Sequence, residues 1–391
     1  MSASTLKDHY RCPDRYGVDL PFEAGEVIDA LRLERYTKSR KSGGPFGQIA
    51  KSIYYTLRPW MGVAFRKHLQ RAYWRKWKDI TFPHWPVDRT VERVFEAVAM
   101  LSLDVAREDS MPFVWFWPEG FNGCVILTHD IETEAGRDFS LELADIDASF
   151  GFKSSFQVVP EERYEVPEWF LASLRSRQCE INLHGLNHDG RLFESRENFE
   201  KQLHKITAYA REFGAEGFRS PSLYRNLDWY KDLEFAYDMS VPNCAHLEPQ
   251  QGGCCTVLPY FIGGMVELPL TMAQDYSIFH ILRQNSIELW KRQMELVLES
   301  NGLLSFNIHP DYIREEPYRG IYYELLQHLK TVCEQRNIWI ALPNEVNRWW
   351  RLRNEMRLGS ERAVEARAVV HDGVLVYELE EALHNELLKA G

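Results

Sequence analysis

The chain has 391 residues, enough for one large domain with additions or for two domains. Its formal net charge is −11 and it contains no nucleic-acid-reading motif, so the sequence argues against a nucleic-acid-binding protein. No run of about 18 apolar residues is present, and we therefore expect no membrane-spanning helix. The seven cysteines have no metal-type Cys-x-x-Cys spacing, which favours a reducing compartment.

The first eighty residues combine a short predicted helix with a strongly basic segment. The helix is predicted from Glu23 to about Leu33. The basic segment, Leu31–Ile80, contains thirteen Lys and Arg residues against two acidic residues. Between Met61 and Tyr73 its apolar residues recur at helical spacing, which predicts a second helix. That helix would lie either on an anionic membrane surface or against the acidic body of the same chain.

Strands and helices then alternate along most of the chain. A helix capped by Asp88 or Thr90 comes first. Strands are predicted at Phe113–Trp117, Cys124–Leu127, Phe152–Val159, Glu180–Leu183, Gly217–Ser220, Val266–Leu270, Leu303–Ile308 and Trp339–Leu342. Helices are predicted at 167–176, 195–213, 227–233, 286–300 and 320–335. The alternation predicts a parallel sheet or a (β/α) barrel. A hairpin that turns on Asp372-Gly373 follows near the C-terminus.

Polar residues fall repeatedly just after the predicted strands. The set comprises Asp130, Glu132, His184, His188, Arg219, Asp275 and His309. Each residue alone is a weak signal, because acids after a strand often cap a helix and a His-x-x-x-His spacing is usually incidental. Functional groups of α/β proteins nevertheless collect at the carboxyl ends of parallel strands. Two carboxylates and two histidines are suitable for a metal site with three protein ligands and an open position.

The order and spacing of these motifs resembles the polysaccharide deacetylase, or NodB homology, family of carbohydrate esterases. That family has an acidic first motif, a His-x-x-x-His motif, an Arg-x-Pro motif and a Leu-x-His motif. The matching stretches lie within about residues 110–350 and are Thr128–Glu132, His184–His188, Arg219–Pro221 and Phe306–His309. One position departs from the usual pattern, because Ile131 stands where the second of two adjacent Asp residues is typical. The arrangement Asp130-Ile-Glu132 is similar to a variant that spaces its acids as Asp-x-Asp.

The resemblance implies a fold and a division of the chain. Residues 111–350 would form a distorted (β/α) barrel of about seven parallel strands. Residues 1–110 would be a basic, helical N-terminal extension, and residues 351–391 a C-terminal helix-hairpin tail. The implied activity is that of a hydrolase that removes an N-acyl group, typically acetyl, from a sugar, glycan or glycan precursor by means of metal-activated water.

The resemblance also implies a role for each site residue. A divalent metal, with zinc as the first expectation, would be held by Glu132, His184 and His188. Asp130 would act as the general base, Arg219 would pair with it, and His309 would protonate the leaving amine. The substrate-facing walls would be formed by Pro221, Tyr224, Asp275 and Tyr276. The reverse assignment, with Asp130 as the metal ligand, stays open.

Two alternatives remain at this stage. The same barrel could hydrolyse another C–N bond, such as a cyclic amide, without a metal, and Ile131 lends this some support. It could also be a glycan-binding protein that performs no catalysis. For the main hypothesis we expect a cytoplasmic enzyme that acts on a soluble or lipid-linked glycan intermediate, with the basic segment as a peripheral membrane contact. The sequence does not indicate the oligomeric state.

Overall fold

The computed structural model describes residues 22–39, 74–360 and 363–379, so the helix predicted between Met61 and Tyr73 lies outside the described residues. The described chain forms twelve strands: β1 (Ser110–Val114), β2 (Gly123–Asp130), β3 (Ser154–Val158), β4 (Glu180–His184), β5 (Gly217–Arg219), β6 (Tyr237–Asp238), β7 (Tyr260–Ile262), β8 (Met265–Glu267), β9 (Leu303–Asn307), β10 (Ile338–Ile340), β11 (Glu365–His371) and β12 (Val374–Leu379).

Nine of these strands form one curled sheet in the order β10-β2-β3-β4-β5-β6-β8-β7, with β9 also paired to β2. Eight of the nine run parallel, and only β7, which pairs antiparallel with β8, breaks the pattern among the described strands. The expected distorted (β/α) barrel is therefore confirmed, with one parallel strand more than the seven expected. Because the strands are parallel, their carboxyl ends meet at one edge.

Helices connect the strands and cover the sheet. They are α1 (Ala24–Arg32), α2 (Arg35–Ser39), α3 (Thr90–Ala106), α4 (Glu134–Ser149), α5 (Glu168–Ser176), α6 (Arg196–Phe213), α7 (Glu288–Leu298), α8 (Pro310–Ile313), α9 (Tyr318–Arg336) and α10 (Pro343–Glu355). Short 3₁₀ segments include Leu227–Asp232, where the sequence predicts helical structure. Within the described residues, no helix is long and apolar enough to cross a membrane.

The central strand β2 explains how the sheet is stabilised. All eight of its residues are buried, and its side chains alternate between the two faces. Val125 and Leu127 join the apolar core under the outer helices. Cys124 and Ile126 join a second core, which also contains residues of α1, α3, β1 and β11. A fully buried Val, Leu or Ile stabilises the fold by about 1.5–3 kcal/mol, so this double burial fixes β2 firmly.

Strand β1, which precedes the barrel strands, pairs with the C-terminal hairpin in a small separate sheet, β1-β11-β12. The predicted hairpin is confirmed, with β11 and β12 paired across the turn that contains Asp372. The predicted strand at Phe113–Trp117 is wrong in its bounds. It runs from Ser110 to Val114 because β11 pairs with those residues. The division into residues 1–110, 111–350 and 351–391 stays a prediction.

Candidate metal-dependent active site

The two acids of the first motif extend from the carboxyl end of β2. Asp130 is the last residue of the strand and is only 2% exposed. Ile131, whose side chain has no atom that could bind a metal, is completely buried and packs in the apolar core. Glu132 follows with its side chain 23% exposed. Thr133 then caps α4 by accepting a hydrogen bond from the Gly136 N–H, which ends the acidic loop.

The two histidines lie on either side of a tight turn after β4. His184 ends the strand, and Gly185 follows with φ +64°. A Cβ atom at Gly185 would lie 2.5 Å from Cγ of Pro221, so the turn needs glycine for both its conformation and its space. The backbone of His188 also has a left-handed conformation, with φ +55°. The turn brings the two imidazole rings to 4.8 Å between centroids.

Glu132, His184 and His188 converge on one point. Their ligand atoms all lie within 4.8 Å of one another, and Oε1 of Glu132 is 2.8 Å from Nε2 of His188. The Nδ1 atom of His184 is 3.2 Å from the carbonyl oxygen of Arg219, and its buried Nε2 has no hydrogen-bond partner among the described residues. One carboxylate and two imidazoles match the ligands of a catalytic zinc site, so these residues fit such an ion.

Asp130 lies beside this cluster among several positive or donor groups. Its Oδ2 atom accepts a hydrogen bond of 2.8 Å from Nδ2 of Asn307. The same oxygen is 3.7 Å from Nε2 of His184 and 3.7 Å from Nη1 of Arg219. Arg219 is completely buried and also donates from Nη2 to Oγ1 of Thr128 at 2.9 Å. The predicted pairing of Arg219 with Asp130 is thus present in the geometry.

The electrostatics keep both acids ionised. Burial would raise the pKa of Asp130, but the positive charges of Arg219 and His309 and the hydrogen bond from Asn307 outweigh it, and the pKa is lowered. Burial likewise opposes ionisation of Glu132, yet the contact with His188 holds the pKa of Glu132 well below its usual range. Burial lowers the pKa of His184 to about 4, so this imidazole is neutral near pH 7 and has a lone pair for a metal.

His309 lies next to the cluster and is held there by Asp275. Its Nδ1 is 2.7 Å from Oδ1 of Asp275, and its backbone N–H donates to Oδ2 at 2.8 Å. Burial would lower the pKa of His309, but the charge of Asp275 overcomes it and raises the pKa to about 10. The imidazole is therefore protonated at neutral pH, and its Nε2 lies 3.8 Å from Oε1 of Glu132.

Comparison with solved structures identifies the fold. A Mycobacterium smegmatis protein classed as a polysaccharide deacetylase is 19% identical, covers 64% of this chain and 97% of its own, and superimposes with a TM-score of 0.51. The chain has the polysaccharide deacetylase fold. The chain is also similar to a Puue allantoinase, which is 12% identical, covers 60% of this chain and 92% of its own, and has a TM-score of 0.48. It is similar as well to the Bacillus subtilis peptidoglycan deacetylase PdaC, which is 10% identical, covers 61% of this chain and 95% of its own, and has a TM-score of 0.38. No family model and no curated protein sequence matches the chain.

The four residues expected to form the substrate-facing walls of this deacetylase fold have different environments. Asp275 is completely buried against His309, which puts it behind the imidazole. Pro221 packs on Gly185, and Tyr224 is only 7% exposed. Tyr276 belongs to an aromatic group, since its ring is 5.6 Å from that of Tyr312, which is in turn 5.1 Å from His309. Substrate contact by these residues stays a prediction.

Three residues of the site were missed by the sequence reasoning. Asn307 donates a hydrogen bond to Asp130. Its place in the site was predictable, because it lies two residues before His309 and alternate residues of a strand share a face. Arg163 donates from Nη2 to the carbonyl oxygen of His188 at 2.9 Å. Oδ2 of Asp311 accepts from the N–H of Glu132 at 3.1 Å. Arg163 lies in a loop and Asp311 in the short helix α8, and neither is one of the residues of the four motifs that have an expected role, so only the folded chain reveals their contacts.

Proposed function

We propose that the protein is a metal-dependent hydrolase that removes an acetyl or similar acyl group from the amine of a sugar, glycan or glycan precursor. The observation that carries the proposal is the arrangement of three groups: a metal-type cluster of Glu132, His184 and His188, with both an ionised acid and a protonated histidine next to it. An amide hydrolase needs both, because it must deprotonate water and protonate an amine.

Glu132, His184 and His188 would hold the metal ion, which we propose to be zinc. The chemistry that such an ion supplies is a lower pKa for a bound water and polarisation of the acyl carbonyl. Asp130 then takes a proton from the attacking water. Its Oδ1 is buried and has no hydrogen-bond partner within the described ranges, so this oxygen remains available as the acceptor. Arg219 and Asn307 hold the other oxygen and so orient the base.

His309 completes the reaction as the general acid. Asp275 holds its Nδ1 side, so the proton on Nε2 is directed toward the cluster. When the C–N bond breaks, that proton goes to the leaving nitrogen and the products are a carboxylic acid and a free amine. The water supplies the hydroxyl group of the acid, so the reaction consumes one water and needs no further reactant.

The proposed sugar substrate is supported by the fold and by the aromatic group at Tyr276 and Tyr312, since aromatic rings provide broad apolar contact area. A lipid-linked intermediate, a cytoplasmic location and a membrane contact of the segment Leu31–Ile80 stay predictions. Charge reversal at Arg66, Lys67, Arg71 and Arg75 tests the membrane contact, and unchanged liposome binding would contradict it.

The test of the proposal measures bound metal and deacetylation together in the wild type, His184→Ala, Glu132→Gln and Asp130→Asn. We expect about one zinc per wild-type chain, its loss in His184→Ala and its weakening in Glu132→Gln. Asp130→Asn should retain the metal and lose activity. His204→Ala, which changes an exposed histidine of α6, is the matched control and should change neither.

The other outcomes separate the alternatives. Metal loss in Asp130→Asn with retention in Glu132→Gln would reverse the ligand assignment. Hydrolysis of amides by a wild type that binds no zinc would favour the metal-independent enzyme. Tight glycan binding without turnover at any pH would favour the binding protein.

A further inference from the structure

A chain of hydrogen bonds connects the base Asp130 to a buried acid that the mechanism above does not use. Asn307 donates from Nδ2 to Oδ2 of Asp130 at 2.8 Å and to Oε1 of Gln274 at 3.0 Å. Gln274 in turn donates from Nε2 to Oε2 of Glu248 at 2.7 Å. Three successive hydrogen bonds therefore link the carboxyl group of Glu248 with that of Asp130.

The carboxyl group of Glu248 determines which side of each amide in this series of hydrogen bonds donates and which accepts. A side-chain amide has one accepting and one donating side, and rotating it by half a turn exchanges the two. The hydrogen bond from Nε2 of Gln274 to Oε2 of Glu248 places the NH₂ group of Gln274 on the side of the carboxyl group. The oxygen of Gln274 then faces Asn307, whose NH₂ group is thereby directed toward Asp130. With the opposite rotation, the oxygen of Asn307 would face the carboxylate of Asp130 and repel it.

Glu248 is placed for such a role and not for direct substrate binding. Its side chain is buried, at 7% exposure, and the small cavity of about 20 Å³ beside it holds no more than about one water. Burial raises the pKa of Glu248, whereas its hydrogen bond from Gln274 and the charge of Arg225 oppose that rise. Asn307 is completely buried, so its amide has little freedom to rearrange.

The neighbouring residue shows that the segment around Gln274 serves both sides of the site. Asp275 holds His309, and Gln274 holds Asn307, so two adjacent residues contact alternate positions at the end of β9. The segment is fixed from behind, since the N–H of Ala273 donates to Oε1 of Gln293 at 3.0 Å. One stretch of backbone, residues 274–275, therefore helps to fix the relative positions of the acid His309 and the base Asp130.

We propose that Glu248 is a positioning residue that acts through Gln274 and Asn307 to hold Asp130 with its Oδ1 turned toward the attacking water. The inference rests on the proposed function only in that Asp130 is the base. Misplacement of a reacting group by about 1 Å costs on the order of 100-fold in rate, so a partial loss of orientation should reduce kcat by about 10-fold to 100-fold.

The kinetic test uses Glu248→Met, Glu248→Gln, Gln274→Met and the double variant Glu248→Met/Gln274→Met. Glu248→Met and Gln274→Met should each lower kcat by about 10-fold or more, with KM and zinc content unchanged. Glu248→Gln should recover part of the loss, because its oxygen can still accept from Gln274. The double variant should be no slower than Gln274→Met alone if the effect of Glu248 on Asp130 passes through Gln274.

The control is Gln202→Met, which removes another buried glutamine that donates one side-chain hydrogen bond, here within α6. It should leave kcat unchanged. Additive losses in the double variant, a rise in KM with constant kcat, or unchanged kcat in Glu248→Met would each overturn the proposal.

A structural measurement separates this inference from the proposed function. Crystal structures of the wild type and of Gln274→Met should show the Asp130 carboxylate rotated, or its contact with Asn307 lost, only in the variant. If the wild type hydrolyses no acylated amine, the proposed function fails, and the orientation of Asp130 in these two structures still decides the positioning role. An unmoved Asp130 in the variant would overturn it.

Discussion

Two pairs of acids on or next to the same sheet have opposite electrostatic behaviour. Asp130 and Glu132 lie at the end of β2, in the candidate active site. Asp238 and Glu267 lie directly opposite one another on the neighbouring strands β6 and β8, and both are completely buried. Burial opposes ionisation in both places, so burial alone cannot explain why the two pairs differ.

The difference lies in the groups that surround each pair. In the site, the charges of Arg219 and His309 lower the pKa of Asp130, and the contact with His188 and the charge of His309 lower that of Glu132. On β6 and β8, burial raises the pKa of Asp238, and burial together with the charge of Asp238 raises the pKa of Glu267 well above its usual value. We therefore expect the second pair to keep a proton at pH values at which Asp130 and Glu132 have lost theirs. A buried acid of this barrel becomes a useful base only where the fold also supplies cations.

Removal of Arg219 should have the largest effect, because Arg219 is the main cation that lowers the pKa of Asp130. Arg219→Met leaves Asp130 buried without its nearest fixed cation. We expect a loss of about 3–5 kcal/mol in the free energy of unfolding at pH 7, measured by denaturant titration, together with a large fall in kcat. The loss should shrink in acid, where Asp130 takes up a proton.

The control for this prediction is Arg211→Met, which breaks an exposed ion pair with Glu234. Exposed pairs contribute about 0–1 kcal/mol, so its effect should be small. Equal destabilisation by the two substitutions would contradict the role assigned to Arg219.

Replacement of His309 tests whether the cationic side of the site performs chemistry or only neutralises charge. His309→Gln keeps a polar side chain next to Asp275 but cannot donate a proton to the leaving amine. We expect kcat to fall by about 100-fold to 1,000-fold with zinc retained. A substrate with a better leaving group, such as an N-acetyl arylamine, should lose less activity. An equal loss for both substrates would argue against proton donation by His309.

The contrast also shows what could be predicted from the sequence. The strands and the motif residues after β2, β4, β5 and β9 were predictable, because apolar runs followed by polar residues are local patterns. Strand parallelism then requires those residues to meet at one edge. The structure places all six predicted metal and acid–base residues there, namely Asp130, Glu132, His184, His188, Arg219 and His309.

The rest could not be predicted because it depends on contacts between distant segments. Asp275 was expected on a substrate-facing wall, yet its position behind His309 is set by the path of the chain after β8. Strand β6 has two residues and β7 has three, too short for a periodic signal. Strand β1 pairs with β11 from the other end of the chain, which no local pattern around Ser110 could reveal.

Glu267→Gln tests the second pair of acids by replacing the member with the more strongly raised pKa by a side chain that does not ionise. Because the folded-state pKa of Glu267 is raised, its stability contribution is present below the unfolded pKa of about 4.5 and is lost as pH rises toward the folded value. The variant should therefore match the wild type at pH 4 and exceed it by about 2 kcal/mol at pH 8, measured by unfolding. Glu234→Gln, on the surface, is the control and should change neither value.

Ser240→Ala should have the smallest effect. It tests how far hydrogen-bond donors can stabilise an ionised buried acid where the charge of a cation does not outweigh burial. Ser240 donates to Asp238 from Oγ at 2.7 Å and from its backbone N–H at 2.9 Å. The hydroxyl group also accepts from the Ser220 N–H at 2.7 Å, so losing it should cost about 1–2 kcal/mol. The cost should grow from pH 5 to pH 8, because the ionised form of Asp238 depends more on that donor. Ser140→Ala, which loses one buried hydrogen bond within α4, should cost the same at both pH values. If Ser240→Ala is equally independent of pH, the charge of this pair resides on Glu267, and the two acids have exchanged roles.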